Sequence, residues 1–317
     1  MNVIFVEPAF PTYQRQFVRG LAEVGATVFG IGERPFDALD DDLKRWMSHY
    51  EQVSSVCDED AMLTTVRWLQ DRMPIHALEA TIEAHILPIA HVREKCGIHG
   101  TSVRSAYLCR DKPAMKEALR QAGIACAQSI GTENGREVRE FVERVGYPVI
   151  LKPRASAGAA GTYRCDTDAE LESAMAECNI DHGGSVAVEE FIEGHEGFYD
   201  TIVMNGTITH DFISHYYPNV LEAMRTRWIS PQIISTNRVE DAPAYAEVRD
   251  MGRQVVEILG LTNGTTATHM EWFFGNKGLK FSEIGCRPPG VGMWDVHCAS
   301  TEVDLYREWA MAVVHCR

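Results

Sequence analysis

The 317-residue chain is 45% hydrophobic and 24% charged, a balance that supports a large core and excludes a disordered protein. Its formal net charge of -15 argues against nonspecific binding to nucleic acid or an anionic membrane, while leaving room for an anionic small ligand in a locally basic cleft. Nine cysteines lie scattered without a C-x-x-C pair, the pattern of reduced thiols in a cytoplasmic protein.

The opening MNVIFVEPAF has no basic n-region or cleavage pattern and reads as a first strand. No apolar run approaches a membrane span. Strand and helix patterns then alternate: a helix through Phe17, Val18, Leu21 and Ala22, a strand ATVFGIG, and a helix from Ala61 to Gln70. This predicts an open parallel α/β domain over 1–103. Gly30 and Gly32 run into Glu33, Arg34 and Pro35, which breaks a dinucleotide fingerprint and argues against NAD. A second unit is expected over 104–188. RDKPAMKEALRQAG predicts a helix capped by Asp111, with Pro113 in its first turn, a stripe of Met115, Ala118, Leu119 and Ala122, and Gly123 as its stop. A helix over Arg136–Val145 follows, then strand YPVILKP, a glycine-rich loop, strand TYRC, a helix from Asp168 to Cys178, and strand SVAVEEFIEG. The last unit, 189–317, opens with a hairpin turning on Asn205-Gly206.

Its second hairpin, HMEWFFGNKGLKFSEIGCR, carries two acids. A three-residue loop of Asn276, Lys277 and left-handed Gly278 pairs Gly275 with Leu279 and hence Glu271 with Glu283. Facing like charges cost a sheet about 0.2–1 kcal/mol. A divalent cation between them, Mg²⁺ or Mn²⁺, reverses that sign; two solvated acids on a surface hairpin are the alternative. Arg287 follows, placed to meet a phosphoryl group. The loop Ser156–Gly161, including Gly158, is no Walker loop, yet its N–H groups can cover phosphates beside Lys152; taken alone, such a loop is more often a flexible surface turn with a solvated lysine. Lys112 at a helix N-terminus adds positive charge to a positive dipole end, which suits a bound anion or a solvated side chain. In VEEFIEGHE, the backbone at Glu190–Ile192 with Phe191 can frame a purine and Glu196 can accept from a ribose; a charged edge strand is the alternative.

Together these segments resemble the ATP-grasp superfamily over nearly the whole chain. RDKPAMKEALRQAGI is similar to the family's first helix, with Lys112 on ATP phosphate. VGYPVILKPRASAGAAG is similar to its lid strand and loop, VEEFIEGHE to its adenine hinge, and HMEWFF…FSEIGCR to its metal strands. The resemblance implies a parallel α/β domain followed by a two-lobed α+β grasp holding ATP. It assigns Glu189, Glu190 and Ile192 to adenine, Glu196 to ribose, and Mg²⁺ (or Mn²⁺) to Glu271 and Glu283. Two features depart from it. Gly285 stands where the family often has a metal-contacting Asn, and about thirty residues follow Arg287, which argues against the biotin-carboxylase branch.

The expected activity is an ATP-dependent ligase: a carboxylate becomes an acyl-phosphate and an amine displaces phosphate, with Lys152 and Arg287 catalytic. Small-molecule acid and amine are the expected partners, and relatives imply a homodimer. Arg225, Arg227, His215 and Trp294 are the substrate candidates, with Trp228, Tyr216 and Tyr217 as further pocket residues; Arg225 and Arg227 also fit solvated loop cations. His215, His269 and His297 are candidate proton carriers, but a satisfied structural histidine is the better reading of each. The alternatives are a carboxylase or formyl transferase using bicarbonate or formate, and a non-catalytic ATP-binding protein.

Overall fold

The computed structural model describes residues 1–154, 161–226, 228–230, 232–238 and 242–316, with backbone alone for 224–226. The first unit runs β1 (Asn2–Val6), α1 (Gln14–Glu23), β2 (Thr27–Gly32), α2 (Asp41–Trp46), β3 (His49–Gln52), α3 (Glu59–Gln70), β4 (Ala77–Glu79) and α4 (Glu83–Cys96). Its strands form a parallel sheet in the order β3-β2-β1-β4. Val3, Ile4, Phe5 and Val6 are all buried, because helices cover both faces of such a sheet.

Two helices, α5 (Val103–Leu108) and α6 (Lys112–Gln121), lead onward. Asp111 caps α6 through Ala114 N–H, and Pro113 sits in its first turn. Next come β5 (Ser129–Thr132), α7 (Gly135–Val145), β6 (Val149–Pro153), β7 (Tyr163–Cys165), α8 (Asp168–Glu177) and β8 (Val186–Glu190). These strands form an antiparallel sheet, β5-β8-β6-β7, with α7 and α8 packed on one side through Phe141, Val142, Leu171 and Met175.

The last sheet takes β9 (His195–Met204), β10 (Thr207–Tyr217), β11 (Gln232–Thr236), β12 (Thr265–Gly275) and β13 (Gly278–Gly285). Its order is β11-β10-β9-β12-β13, all antiparallel. Between these strands lie α9 (Val220–Thr226) and α10 (Ala246–Ile258); α11 (Met293–Thr301) and α12 (Leu305–His315) close the chain. Rather than staying within the third unit, α12 packs onto the first. Trp309 is edge-on to Phe5 and Phe17, and Arg19 pairs with Asp304 at 2.8 Å.

Glycine 197 on β9 lets Trp272 lie flat across the strand: a Cβ there would stand 2.3 Å from the indole and 2.7 Å from Ser214 O. Gly197→Ala is therefore expected to destabilise the protein by about 1–3 kcal/mol through overpacking, read as a lower midpoint in urea unfolding. An unchanged midpoint would contradict this packing.

Candidate functional site

Between the two antiparallel sheets lies a cavity of about 620 Å³ lined by Lys112, Lys116, Ala127, Ile150, Lys152, Thr162, Arg164, Glu189, Glu190, Phe191, Ile192, Glu196, Asn219, Val220, Leu221, Glu222, Glu271, Phe273, Ser282 and Glu283. Each sheet contributes one face. Ile150 and Lys152 alternate with the buried Val149 and Leu151 on β6, so the lysine points into the cavity while its neighbours fill the core.

Glu271 and Glu283 are cross-strand partners, reached by a different route from the predicted one. The connection pairs Gly275 with Gly278, not with Leu279, and a β-bulge after Glu271 restores the register at Glu283. Gly278 does take the left-handed conformation, at φ 75°. Lys112 Nζ is 2.5 Å from Glu283 Oε2. Burial raises the Glu283 carboxyl, but Lys112 and Lys152 outweigh it and hold it down at about 2.

Glu189 is the second anchor. Its Oε2 is 2.8 Å from Lys116 Nζ and 3.1 Å from Lys152 Nζ. Burial opposes its charge, yet the two ammonium groups keep it well below the ordinary carboxylate range. The side chain assigned to adenine by resemblance is thus turned onto lysines. Lys116 escaped the sequence reading, although it lies one helical turn from Lys112 beside the buried Met115 and Leu119, spacing that signals a lysine on the inward face. Burial pulls its ammonium down, and Glu189 offsets part of that.

The hinge is partly committed already. Glu190 N–H donates to Gln128 O at 2.9 Å and Phe191 N–H to Pro148 O at 3.2 Å, so these two N–H groups are engaged within the protein, while Glu190, Phe191 and Ile192 all line the cavity. Glu196 accepts from Val220 N–H at 2.7 Å. Its carboxyl is pushed up to about 8 by burial and by the charge of Glu271. Three carboxyl groups therefore crowd one end of the cavity, with Glu196 pushed toward its neutral form, and a cation there would relieve the remaining charge. Among the described residues no three His, Cys, Asp or Glu side chains form a metal cluster. The facing pair, Glu271 and Glu283, is the donor set that fits Mg²⁺ completed by phosphate oxygens.

Arg287 lies outside this cavity, its Nε 2.9 Å from Glu83 Oε2 of α4. Gly161 is left-handed at φ 72°; Ser156, Gly158 and Arg227 lie outside the described residues, as does the Arg225 side chain. His215 sits on the sheet face away from the cavity, bonded to His195 at 2.9 Å and Tyr245 at 2.8 Å. Trp294 is buried 5.0 Å from the Phe17 ring and is not among the described residues that line this cavity. Both placements correct the substrate expectation: His215 is out of phase by one residue, and Trp294 serves the core. Tyr217 shares the away face and Trp228 is 82% exposed, whereas Tyr216 faces inward beside Phe198. His269 and His297 both bind the buried Asp200. Burial opposes the His269 charge, but Asp200 pushes its pKa up to about 9.

A family profile described as the ATP-grasp domain matches residues 117–303. The chain belongs to the ATP-grasp family. This ATP-grasp chain is 28% identical over 255 residues to the L-arginine-specific L-amino acid ligase of Bacillus subtilis, covering 78% of the chain and 60% of that protein. It is 25% identical over 287 residues to the formate-dependent phosphoribosylglycinamide formyltransferase of Psychromonas ingrahamii, covering 86% of the chain and 68% of that protein. Among solved structures, the L-amino acid ligase from Bacillus licheniformis superposes with a TM-score of 0.78 at 17% identity, over 99% of this chain and 74% of that one, a likeness of fold. No described helix is long and apolar enough to cross a membrane.

Proposed function

We propose that the chain is an ATP-dependent ligase that joins a small-molecule carboxylate to an amine, releasing ADP and phosphate. The observation that supports it most is the convergence of three lysines and the Glu271–Glu283 pair on one cavity. Lys112 and Lys152, with Lys116 behind them, neutralise phosphate charge as it shifts toward ADP. The glycine-rich sequence of the loop Ser156–Gly161, Gly158 included, suits backbone N–H groups for the phosphates and protection of the acyl-phosphate from water. Phe191, Ile192 and the carbonyl of Glu190 frame the base, Glu189 holds the lysines in place, and Glu196 meets the ribose. Bound at Glu271 and Glu283, Mg²⁺ (or Mn²⁺) supplies electrostatic stabilisation of the transferring phosphoryl group. Arg287, beyond Glu283, steadies the acyl-phosphate once Glu83 yields to substrate; Arg225 and Arg227 remain the proposed grips for its far end.

The match to the formyltransferase favours formate as the acid in a second reading. Phosphate release across a matrix of amino acids and dipeptides, with formate and bicarbonate as controls, separates the two. ADP formed only when both acid and amine are present, together with a condensed product, is the expected result. Turnover on formate or bicarbonate alone would replace the ligase reading, and nucleotide binding without ADP over the whole panel would leave a non-catalytic ATP-binding protein. The nine cysteines, scattered without a C-x-x-C pair, suit a reducing, cytoplasmic compartment, and a dimer of a related biotin carboxylase domain suggests a homodimer.

A further inference from the structure

Behind the acidic end of the cavity runs a polar line that the ligase reading does not use. Asp200 on β9 is fully buried, and each of its carboxylate oxygens meets an imidazole: Oδ1 is 2.6 Å from His269 Nδ1 and Oδ2 is 2.7 Å from His297 Nε2. His297, also fully buried, meets Ser235 Oγ through Nδ1 at 2.9 Å. At the other end His269 turns Nε2 toward Glu271 Oε1, 3.6 Å away. Ser235, His297, Asp200, His269 and Glu271 thus connect β11, α11, β9 and β12.

A buried carboxylate is costly unless fully paired, and apolar residues of equal volume would hold the sheet face as well. The line is therefore poorly explained as a fastener. Its geometry ends on a cavity carboxylate instead. His269 and Glu271 are two apart on one strand and share a face. Directly opposite His269 stands Gly285, so no β13 side chain competes for the edge of the ring. That space is already held: a Cβ at 285 would lie 3.1 Å from Glu83 Oε2. With Nδ1 fixed by Asp200, the ring cannot turn, and its Nε2 holds a set position beside Glu271.

We infer that His269, held by Asp200, His297 and Ser235, is a positioning residue that fixes the Glu271 carboxylate facing Glu283 and so sets the affinity of the pair for a divalent cation. The inference rests on the proposed cation role of that pair. Its test is Mn²⁺ binding to the full chain with ADP, followed by electron paramagnetic resonance, alongside thermal unfolding. His269→Asn keeps an N–H for Asp200 but no longer reaches Glu271. It is expected to weaken Mn²⁺ binding about 10–100-fold at a temperature where the variant is still folded, although loss of the charged partner of buried Asp200 lowers the unfolding midpoint. His269→Gln, whose amide reaches the Nε2 position, is expected to recover most of that loss. In turnover, His269→Asn should raise the half-saturating Mg²⁺ concentration while the rate at saturating Mg²⁺ returns toward that of the parent. Should Asn not fold at 269, Ser235→Ala, at the half-buried end of the line, is expected to weaken Mn²⁺ binding severalfold. Unchanged Mn²⁺ affinity in His269→Asn, or in Ser235→Ala where that variant must serve, overturns the inference. So does a loss that tracks the unfolding midpoint and is not recovered by Gln. Glu271→Gln separates the two levels: if it leaves Mn²⁺ binding intact, the cation role itself falls and takes the inference with it. If it abolishes binding while His269→Asn does not, the positioning role alone fails.

Discussion

Glu283→Gln is expected to lower ADP formation by roughly 10²–10³ or more, the scale on which a preorganised electrostatic group acts in a phosphoryl- or acyl-transfer site. The fold should survive. Glutamine has the same shape and keeps an oxygen for Lys112, whose ammonium now sits 2.5 Å from Glu283 Oε2. Loss of the cross-strand repulsion with Glu271 partly offsets the loss of the ion pair. The variant also carries a pH signature. Lys112 and Lys152 hold the Glu283 carboxyl down from 4.5 to about 2. A depressed acid contributes stability that is fully present above its unfolded value and lost as pH falls toward its folded one. The parent should therefore lose stability between about pH 4.5 and 2 through this group, and Glu283→Gln should be flatter over that window. Malachite-green phosphate release and pH-dependent urea unfolding check the two halves. Full ADP formation in a folded variant would contradict the proposed role of the acidic pair.

Local chemistry made much of this fold legible. The Asn205-Gly206 turn, with φ of 48° and 82°, and the Asp111 cap each rest on residues adjacent in sequence. So does the alternation on β6 that turns Lys152 inward. The Glu271–Glu283 pairing was reached through a three-residue loop, whereas the chain uses a shorter connection and then a bulge; two one-residue offsets cancel. A bulge leaves little mark on a strand pattern, so only the strand separation was readable. His215 shows the opposite case: one residue of phase decides its face, and nothing nearby fixes that phase. The Glu83–Arg287 pair, the line through Asp200, and α12 on α1 join residues far apart in sequence, which no local periodicity encodes.

Glu189→Gln should be the most destabilising single change at the site, by about 3–5 kcal/mol, because it strips the counter-charge from a buried lysine. Lys116 is only 2% exposed, and its Nζ has Glu189 Oε2 at 2.8 Å; Lys152 shares that same oxygen at 3.1 Å. Without the carboxylate, two ammonium groups repel across a poorly hydrated space. Lys116→Met in the same background removes the stranded charge and should recover most of the loss, so the two changes are strongly non-additive. Ligand stabilisation should move the other way. A nucleotide triphosphate supplies the negative charge that Glu189 no longer does, so ATP should raise the unfolding midpoint of Glu189→Gln by more than it raises that of the parent. Urea unfolding of the two single variants and the double, then thermal unfolding with and without ATP, measures both effects. A Glu189→Gln protein as stable as the parent would mean that Lys116 sheds its proton when buried, and that the cavity carries less positive charge than the ligase reading needs. Equal ATP shifts in a destabilised variant would instead mean that the phosphates lie away from Lys116 and Lys152.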